Sequence, residues 1–454
     1  MTVGSRPRQS TAERFASLGC VICACLLLGG CARMRWSTAH PCCVEGKPFL
    51  QRQTIAWHLF DVTLVSQVTR SLNVVRQGRR WLGMPVRSRN LRDGRLVASI
   101  FMEPHEPGSL SPEAVRWGPS RPEDLPVPPL VITKSKLEGK TAGFFVRDAR
   151  GRRHLLKLDP VDAPELLTGA EVVTSKLMCA LGYRVPSYEI AVVSPEELRV
   201  APDARKKGAS GTMVQFTEED LRVVLQGRLR DGRIRVVATK IVEGEILGPV
   251  PFKAFKDCAE LRALKVAYAW VNNIDTKDHN SLLVWDGHQT VGYLIDFGTS
   301  LGADAGIGGP GGPKDPCAGG RYIVDLTVLP LELATLGLYD GGCDRRSPLV
   351  SGAVGRFATT VNPDRWKPYA PNLAFSEMTR EDARWMARRL SRLSRAQLEA
   401  AVSAGRYSDP SDASYLVEAL EGRRQAIVAH YLGSEALHAS SGPDVRRVGR
   451  LGER

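Results

Sequence analysis

The chain has 454 residues, enough for one large two-lobed domain or two to three smaller ones, with ample length for a buried core. Hydrophobic residues make up 43% and charged residues 24% of it, an ordinary globular composition that excludes a fibrous or wholly disordered chain. The formal charge of +13 comes mainly from arginine spread along the whole sequence, with no block of consecutive basic residues and interleaved aromatics, so no nucleic-acid arm is expected; an anionic substrate or membrane surface fits the charge.

Arg6, Arg8 and Arg14 precede an apolar run from Phe15 to Gly30, a basic region followed by a hydrophobic one as in an export signal. The run closes on Leu28-Gly29-Gly30-Cys31, which is similar to a bacterial lipobox. That resemblance implies removal of residues 1–30, lipidation of Cys31 and a lipid-anchored protein on the cell envelope. The alternatives are a short uncleaved anchor, or a start codon placed too early on a cytoplasmic protein. No other stretch is long and apolar enough to span a bilayer. Six cysteines then remain, Cys42, Cys43, Cys179, Cys258, Cys317 and Cys343, and Cys317 with Cys343 is the pair to test first because both sit in glycine-rich loops. Cys179 and Cys258 fall inside helical patterns and read as buried thiols.

Residues 31–55 read as a tether. From 56 to 129 the pattern is irregular, with a helix expected across Leu59–Val65, a strand across Leu96–Met102 and a proline-rich linker from Pro119 to Pro129. No chemistry is assigned to this extension. From 130 the signals become orderly: a strand at Val131–Thr133, a glycine loop with Gly139 and Gly143, a returning strand at Phe144–Val146, a turn at Asp148–Gly151 and a third strand at His154–Leu158 carrying Lys157. Apolar Ala170, Val173, Leu177 and Leu181 mark a helix from Glu165 that closes at Gly182, with Glu171 inside it. Strands follow at Tyr188–Val193 and Arg235–Val242, separated by a charged, irregular passage from Glu196 to Gly232, and then comes Glu243–Gly248.

A helix from about Phe255 to Trp270 delivers the chain to Asp275-Thr276-Lys277-Asp278-His279-Asn280. A short hairpin, Ser281–Trp285 and Val291–Ile295 around a turn at Asp286–Gln289, leads to Asp296-Phe297-Gly298 and sets Asn280 beside Asp296. Asp275, Lys277 and Asn280 have the D-x-K-x-x-N spacing of a kinase catalytic loop, and the triplet after the hairpin is D-F-G. The chain thus resembles the protein-kinase-like superfamily over roughly two thirds of its length, most specifically from Asp275 to Gly298. The closer likeness is to atypical branches, namely HipA-type kinases, phosphatidylinositol kinases and secreted kinases, because Asn273-Ile274 stands where His-Arg is usual and no A-P-E follows.

The resemblance implies an α+β fold with a β-rich N-lobe over 130–250 and a mostly helical C-lobe over 251–432, using ATP and Mg²⁺ to phosphorylate an unknown hydroxyl acceptor. Asp275 would accept the hydroxyl proton, Lys277 steady the γ-phosphate, and Asn280 and Asp296 hold the metal through hard oxygens. Lys157 would contact the α- and β-phosphates and pair with Glu171, Glu165 being the other candidate partner. Gly139 and Gly143 would cover the phosphates or simply form a β-turn, and the backbone near Glu243 would meet adenine. The alternatives are an inactive, envelope-anchored binding protein or nucleotidyl transfer on the same scaffold. Beyond the triplet, Leu301–Gly320 reads as an activation segment or a passive linker, and Trp366–Asn372 as a packed turn. Helices are expected after a Thr379/Asp382 capping box and over Ser411–Leu432, with residues 433–454 a disordered tail.

Overall fold

A computed structural model describes residues 47, 54–103, 105–136, 141–208, 210–306, 311–325, 328–336, 338–339 and 348–433. Cys31, Gly139, Cys343 and the tail after 433 lie outside them. The architecture is α+β, a β-rich part followed by a mostly helical one, preceded in the extension by a two-stranded ribbon of β1 (Leu91–Arg92) and β2 (Arg95–Leu96).

Seven strands form the main sheet: β3 (Leu130–Ser135), β4 (Gly143–Arg147), β5 (Arg153–Leu158), β6 (Tyr188–Val193), β7 (Leu198–Lys207), β8 (Met213–Gln215) and β9 (Ile234–Lys240). Their order is β6-β9-β5-β4-β3-β7-β8, antiparallel except where β3 runs alongside β7. Alternate side chains of β3, β4 and β5, among them Leu130, Ile132, Phe144, Val146 and Leu156, bury on one face with Phe216, Leu221 and Leu225. The stretch read as irregular, Glu196 to Gly232, therefore holds two strands and a helix, α6 (Glu218–Leu225). Its charge concealed this because β8 is the exposed edge strand and β7, beside it, buries only Leu198, Ala201 and Ala204.

The long helix α5 (Leu166–Ala180), buried on almost every side, crosses the region between sheet and helical part. To reach it in chain order one passes α1 (Ile55–Phe60), α2 (Ser66–Ser71), α3 (Val74–Trp81) and α4 (Pro112–Trp117), all in the extension. The expected helix at Leu59–Val65 thus belongs to a longer helical stretch, Asp61–Val65 forming a π turn. The expected strand across Leu96–Met102 is corrected: only Arg95–Leu96 pairs as a strand, and Ile100, Phe101 and Met102 are apolar because they pack into the core. The proline passage is no free linker either, since Asp124 pairs with Lys240 at 2.9 Å and the Arg152 guanidinium donates to Leu125 O at 2.8 Å.

The helical part is built on α7 (Ala259–Val271), followed by α8 (Leu329–Ala334), α9 (Leu373–Ser376), α10 (Arg380–Ser391), α11 (Arg395–Ser403) and α12 (Pro410–Leu432). Thr379 and Asp382 form the expected capping box. A smaller sheet, β10 (Glu245–Gly248), β11 (Ser281–Trp285) and β12 (Thr290–Leu294), includes the predicted hairpin, with Ser281 opposite Leu294. Cys179 and Cys258 are free, whereas Cys317 is disulfide-bonded to a cysteine outside the described residues. No described helix is long and apolar enough to cross a membrane.

Candidate active site

The site begins with the pleat of β5. Lys157 lies opposite Gly143 on one side and Val237 on the other. A Cβ on Gly143 would come within 2.5 Å of Leu156 O, so a bare backbone is needed there for β4 and β5 to close. From this position the Lys157 ammonium reaches Glu171 on α5 in a buried ion pair and Asp296 Oδ1 at 3.0 Å. Glu171 is therefore not a solvent-facing helix residue. Glu165 is not the partner: it sits at the helix N-terminus with φ of 69° and accepts the Ser408 N–H at 2.9 Å.

Asp296 adopts φ of 60°, left-handed backbone that few non-glycine residues take. Its N–H donates to the Tyr188 hydroxyl at 3.2 Å, while Phe297 is fully buried, edge-on to the Tyr188 ring at 5.9 Å. Burial alone would raise the Asp296 carboxyl, but the charges of Lys157, Lys136 and Lys277 outweigh it and hold the group ionised, well below the usual carboxylate range. Burial likewise opposes charge on Lys157, and Asp296 and Glu171 overcome it, holding the ammonium well above its ordinary value.

The second half of the site hangs from the end of α7. Asn272 turns left-handed at φ of 51° and stops the helix, and Arg423 donates to the terminal carbonyls of Trp270 and Ala269, each at 2.6 Å. A cation at a helix C-terminus both satisfies orphan carbonyls and opposes the helix dipole. The loop that follows is pinned along its backbone. Tyr369 N donates to Ile274 O at 2.8 Å and the Asn372 amide to Thr276 O at 3.1 Å, while Trp366 Nε1 reaches Asn272 Oδ1 at 2.9 Å. The packed turn at Trp366–Asn372 is thus the outer wall of the loop.

Within the loop, Lys277 pairs with the Asp275 carboxylate, and the Asn280 amide NH₂ donates to Asp275 O at 2.9 Å, turning its oxygen the other way. Ile295 N donates to Asn280 O at 3.0 Å, which locks the two ends of the hairpin together and sets Asn280 next to the strand leading to Asp296. The Glu243 side chain is 91% exposed and faces Lys240 at 4.0 Å, and Gly244 and Gly248 around it have positive φ.

Two site residues escape sequence reasoning. Lys136, just beyond β3, feels the charges of Lys157, Asp296, Glu171 and Lys277; burial first and then Lys157 pull its ammonium below the ordinary range, and it forms no ion pair among the described residues. Its position in the glycine-loop stretch was the available signal. The other is His58 on α1, whose Nε2 accepts the Asp278 N–H at 3.3 Å and whose ring stands edge-on to His279 at 5.6 Å. Nothing local in the sequence connects it to a loop so distant. On the open side, Tyr369 lines a cleft of about 820 Å³ with Asp304, Asp315 and Tyr322, and the charge of Asp275 reaches its phenol.

No family model matches the sequence and no curated protein matches it. Among solved structures, the chain aligns with the Helicobacter pylori proinflammatory kinase CtkA at 11% identity and a TM-score of 0.33, over 67% of this chain and 93% of that one. It aligns with the Golgi casein kinase at 12% identity and a TM-score of 0.28, over 84% and 94%. A Golgi casein kinase with Mn/ADP bound aligns at 11% identity and a TM-score of 0.26, over 67% and 76%.

Proposed function

We propose that this chain is an ATP- and Mg²⁺-dependent phosphotransferase of the atypical kinase type, acting on a hydroxyl of a protein or small molecule. The observation that carries the reading is Lys157 buried between Glu171 and Asp296, facing a loop that presents Asp275, Lys277 and Asn280. A buried cation held between two carboxylates is costly unless its position is used, because desolvation offsets much of the pair's attraction.

The residues fit the groups the reading requires. Among the described residues no group of three or more His, Cys, Asp or Glu gathers as a metal site. The available protein donors are an ionised Asp296 oxygen and the Asn280 amide oxygen, hard ligands few in number, as suits Mg²⁺ completed by phosphate and water. When bound, the metal would neutralise charge on the phosphate oxygens.

Lys157, kept charged by its two carboxylates, would steady the phosphate chain, and Lys277 the transferring group. Asp275 would orient the acceptor hydroxyl and take its proton as the oxygen bonds to the γ-phosphorus and the bond to the β–γ bridging oxygen breaks. The cleft beside Tyr369 would receive the acceptor. Attachment to a membrane through lipid on Cys31 belongs to the same reading and rests on the Leu28–Cys31 sequence.

The test is Mg²⁺-dependent thermal stabilisation by ATP, parent against Asp296→Asn, followed by transfer from ATP labelled at the α or the γ position. Stabilisation lost in the variant, with γ-label alone passing to an acceptor, supports the reading. Transfer of α-label identifies nucleotidyl transfer instead, and two well-folded proteins indifferent to ATP would reject both.

A further inference from the structure

The extension turns its apolar side outward. Along Ile55–Ser71, His58, Val62 and Ser66 are buried, while Trp57, Phe60, Leu64 and Val68 form a stripe on the opposite face, each about half exposed. In α3 the inversion is complete. Arg76 points inward to Asp257 at 2.7 Å and Glu377 at 2.6 Å, and Arg80 to Ser376 O at 2.6 Å, while Val74, Val75 and Trp81 face solvent, Trp81 89% exposed, followed by exposed Leu82 and Met84. Both helical stretches therefore hold the protein with polar contacts and offer apolar residues to whatever lies outside. Contiguous exposed apolar faces of this kind mark interaction surfaces.

Charge narrows the occupant. Residues 55–95 contain eight arginines against two aspartates, and Arg79, Arg87, Arg92 and Arg95 are exposed without an ion pair among the described residues. Pairing two copies of so cationic a segment across a two-fold axis would set like charges together. Tryptophan with arginine and aliphatic residues is the composition of a helix lying in a headgroup layer. The lipobox reading adds a second contact with lipid: a lipidated Cys31 would precede Ile55 by a tether that reaches at most about 80 Å when extended.

We propose that the outward face of residues 55–84 lies in the interface of an anionic bilayer, with Trp57, Phe60, Trp81 and Leu82 among the acyl chains and the free arginines at the lipid phosphates. This surface is independent of the phosphotransfer reading. It goes beyond a lipid tether, because it fixes which side of the protein faces the membrane.

Full-length protein bound to vesicles of phosphatidylglycerol and phosphatidylethanolamine with brominated acyl chains reads the contact directly, since bromine quenches only tryptophan that touches it. The parent and the double variant Trp57→Phe/Trp81→Phe are compared, with equal melting temperatures confirming the fold of both. The expected result is strong quenching in the parent and loss of most of it in the variant, with weaker quenching when phosphatidylcholine replaces phosphatidylglycerol. Equal quenching in the two proteins, which would mean that only the N-terminal anchor meets lipid, overturns the proposal. So does a dimer in vesicle-free buffer in which Trp57 and Trp81 are shielded from aqueous quencher.

Discussion

His58 and Asp278, 220 residues apart in sequence, meet where the Asp278 N–H donates to His58 Nε2 at 3.3 Å. The ring proton of the neutral histidine is thereby placed on Nδ1, which faces Asp278 Oδ2 at 3.5 Å. The extension thus fixes the backbone between Lys277 and Asn280. His58→Ala should lower kcat several-fold and leave nucleotide affinity unchanged, and His58→Asn, which keeps an acceptor, should recover part of the loss. A change confined to nucleotide affinity would contradict this positioning role.

The same histidine makes a pH prediction. Burial first, then the charges of His279 and Lys277, push it from 6.5 to about 4, with Asp61 pulling the other way. A depressed histidine favours the fold while it stays neutral, so its contribution is full above pH 6.5 and is lost as pH falls toward 4. Asp278, pushed up to about 7 by burial, slopes oppositely in both parent and variant. Relative to the parent, His58→Asn should therefore gain stability, on the order of 1–2 kcal/mol, as pH drops from 6.5 to 4. Denaturant melts at several pH values measure the difference, and a constant gap would show that His58 does not titrate in this way.

Removing Lys157 leaves Glu171 and Asp296 buried together without their cation. Lys157→Met should cost about 3–5 kcal/mol at neutral pH, the usual penalty for breaking a buried pair. The two carboxyls would then titrate above their unfolded values, so the deficit should shrink as pH falls and one of them takes a proton. Thermal melts at pH 5 and pH 8 give the sign; a deficit that grows in acid would be incompatible with this account.

Lys136 should act on the phosphate chain. Lys136→Ala is expected to weaken ATP and ADP about tenfold and AMP little, measured by calorimetry with Mg²⁺ present, because a lysine beside Asp296 and Lys157 would meet outer phosphates. Equal weakening of all three nucleotides would place Lys136 elsewhere.

What the sequence disclosed was local. Strand alternation at β3 to β6, the α5 periodicity and the spacing of Asp275, Asn280 and Asp296 all lie within short windows where backbone geometry dictates residue type. Glu171 was legible for the same reason, as the one acid well inside an otherwise apolar helix face. The rest depended on distant contacts. Phe101 reads as part of a strand, whereas its role is to fill the space left by Gly292, where a Cβ would come within 2.3 Å of the ring. Nothing local marks Arg76 and Arg80 as inward-facing, because their partners Asp257 and Glu377 are distant in sequence. In β7, Pro202, Asp203 and Arg205 mask a strand whose partners are set by the sheet edge.

The last prediction concerns the boundary near residue 130. Cutting there looks natural in the sequence, yet buried polar groups on the far side depend on the extension. Glu260, fully buried, accepts from Asn90 and Ser99, both at 2.7 Å; Lys176 donates to Trp117 O at 2.7 Å and Ser120 Oγ at 2.9 Å; and Arg262 donates to Val86 O at 2.9 Å. Each buried partner left unmade costs about 1–3 kcal/mol, more for a charge, against a total stability of about 5–15 kcal/mol. Loss of the Phe101 ring opens a cavity as well, worth a further 3–5 kcal/mol or so. Residues 130–433 should accordingly fail to fold, whereas residues 54–433 should give a cooperative melt by circular dichroism. If residues 130–433 were monomeric and melted cooperatively at the same temperature, the extension would be an appendage, and its grip on the loop at Asp278 would lose its structural basis.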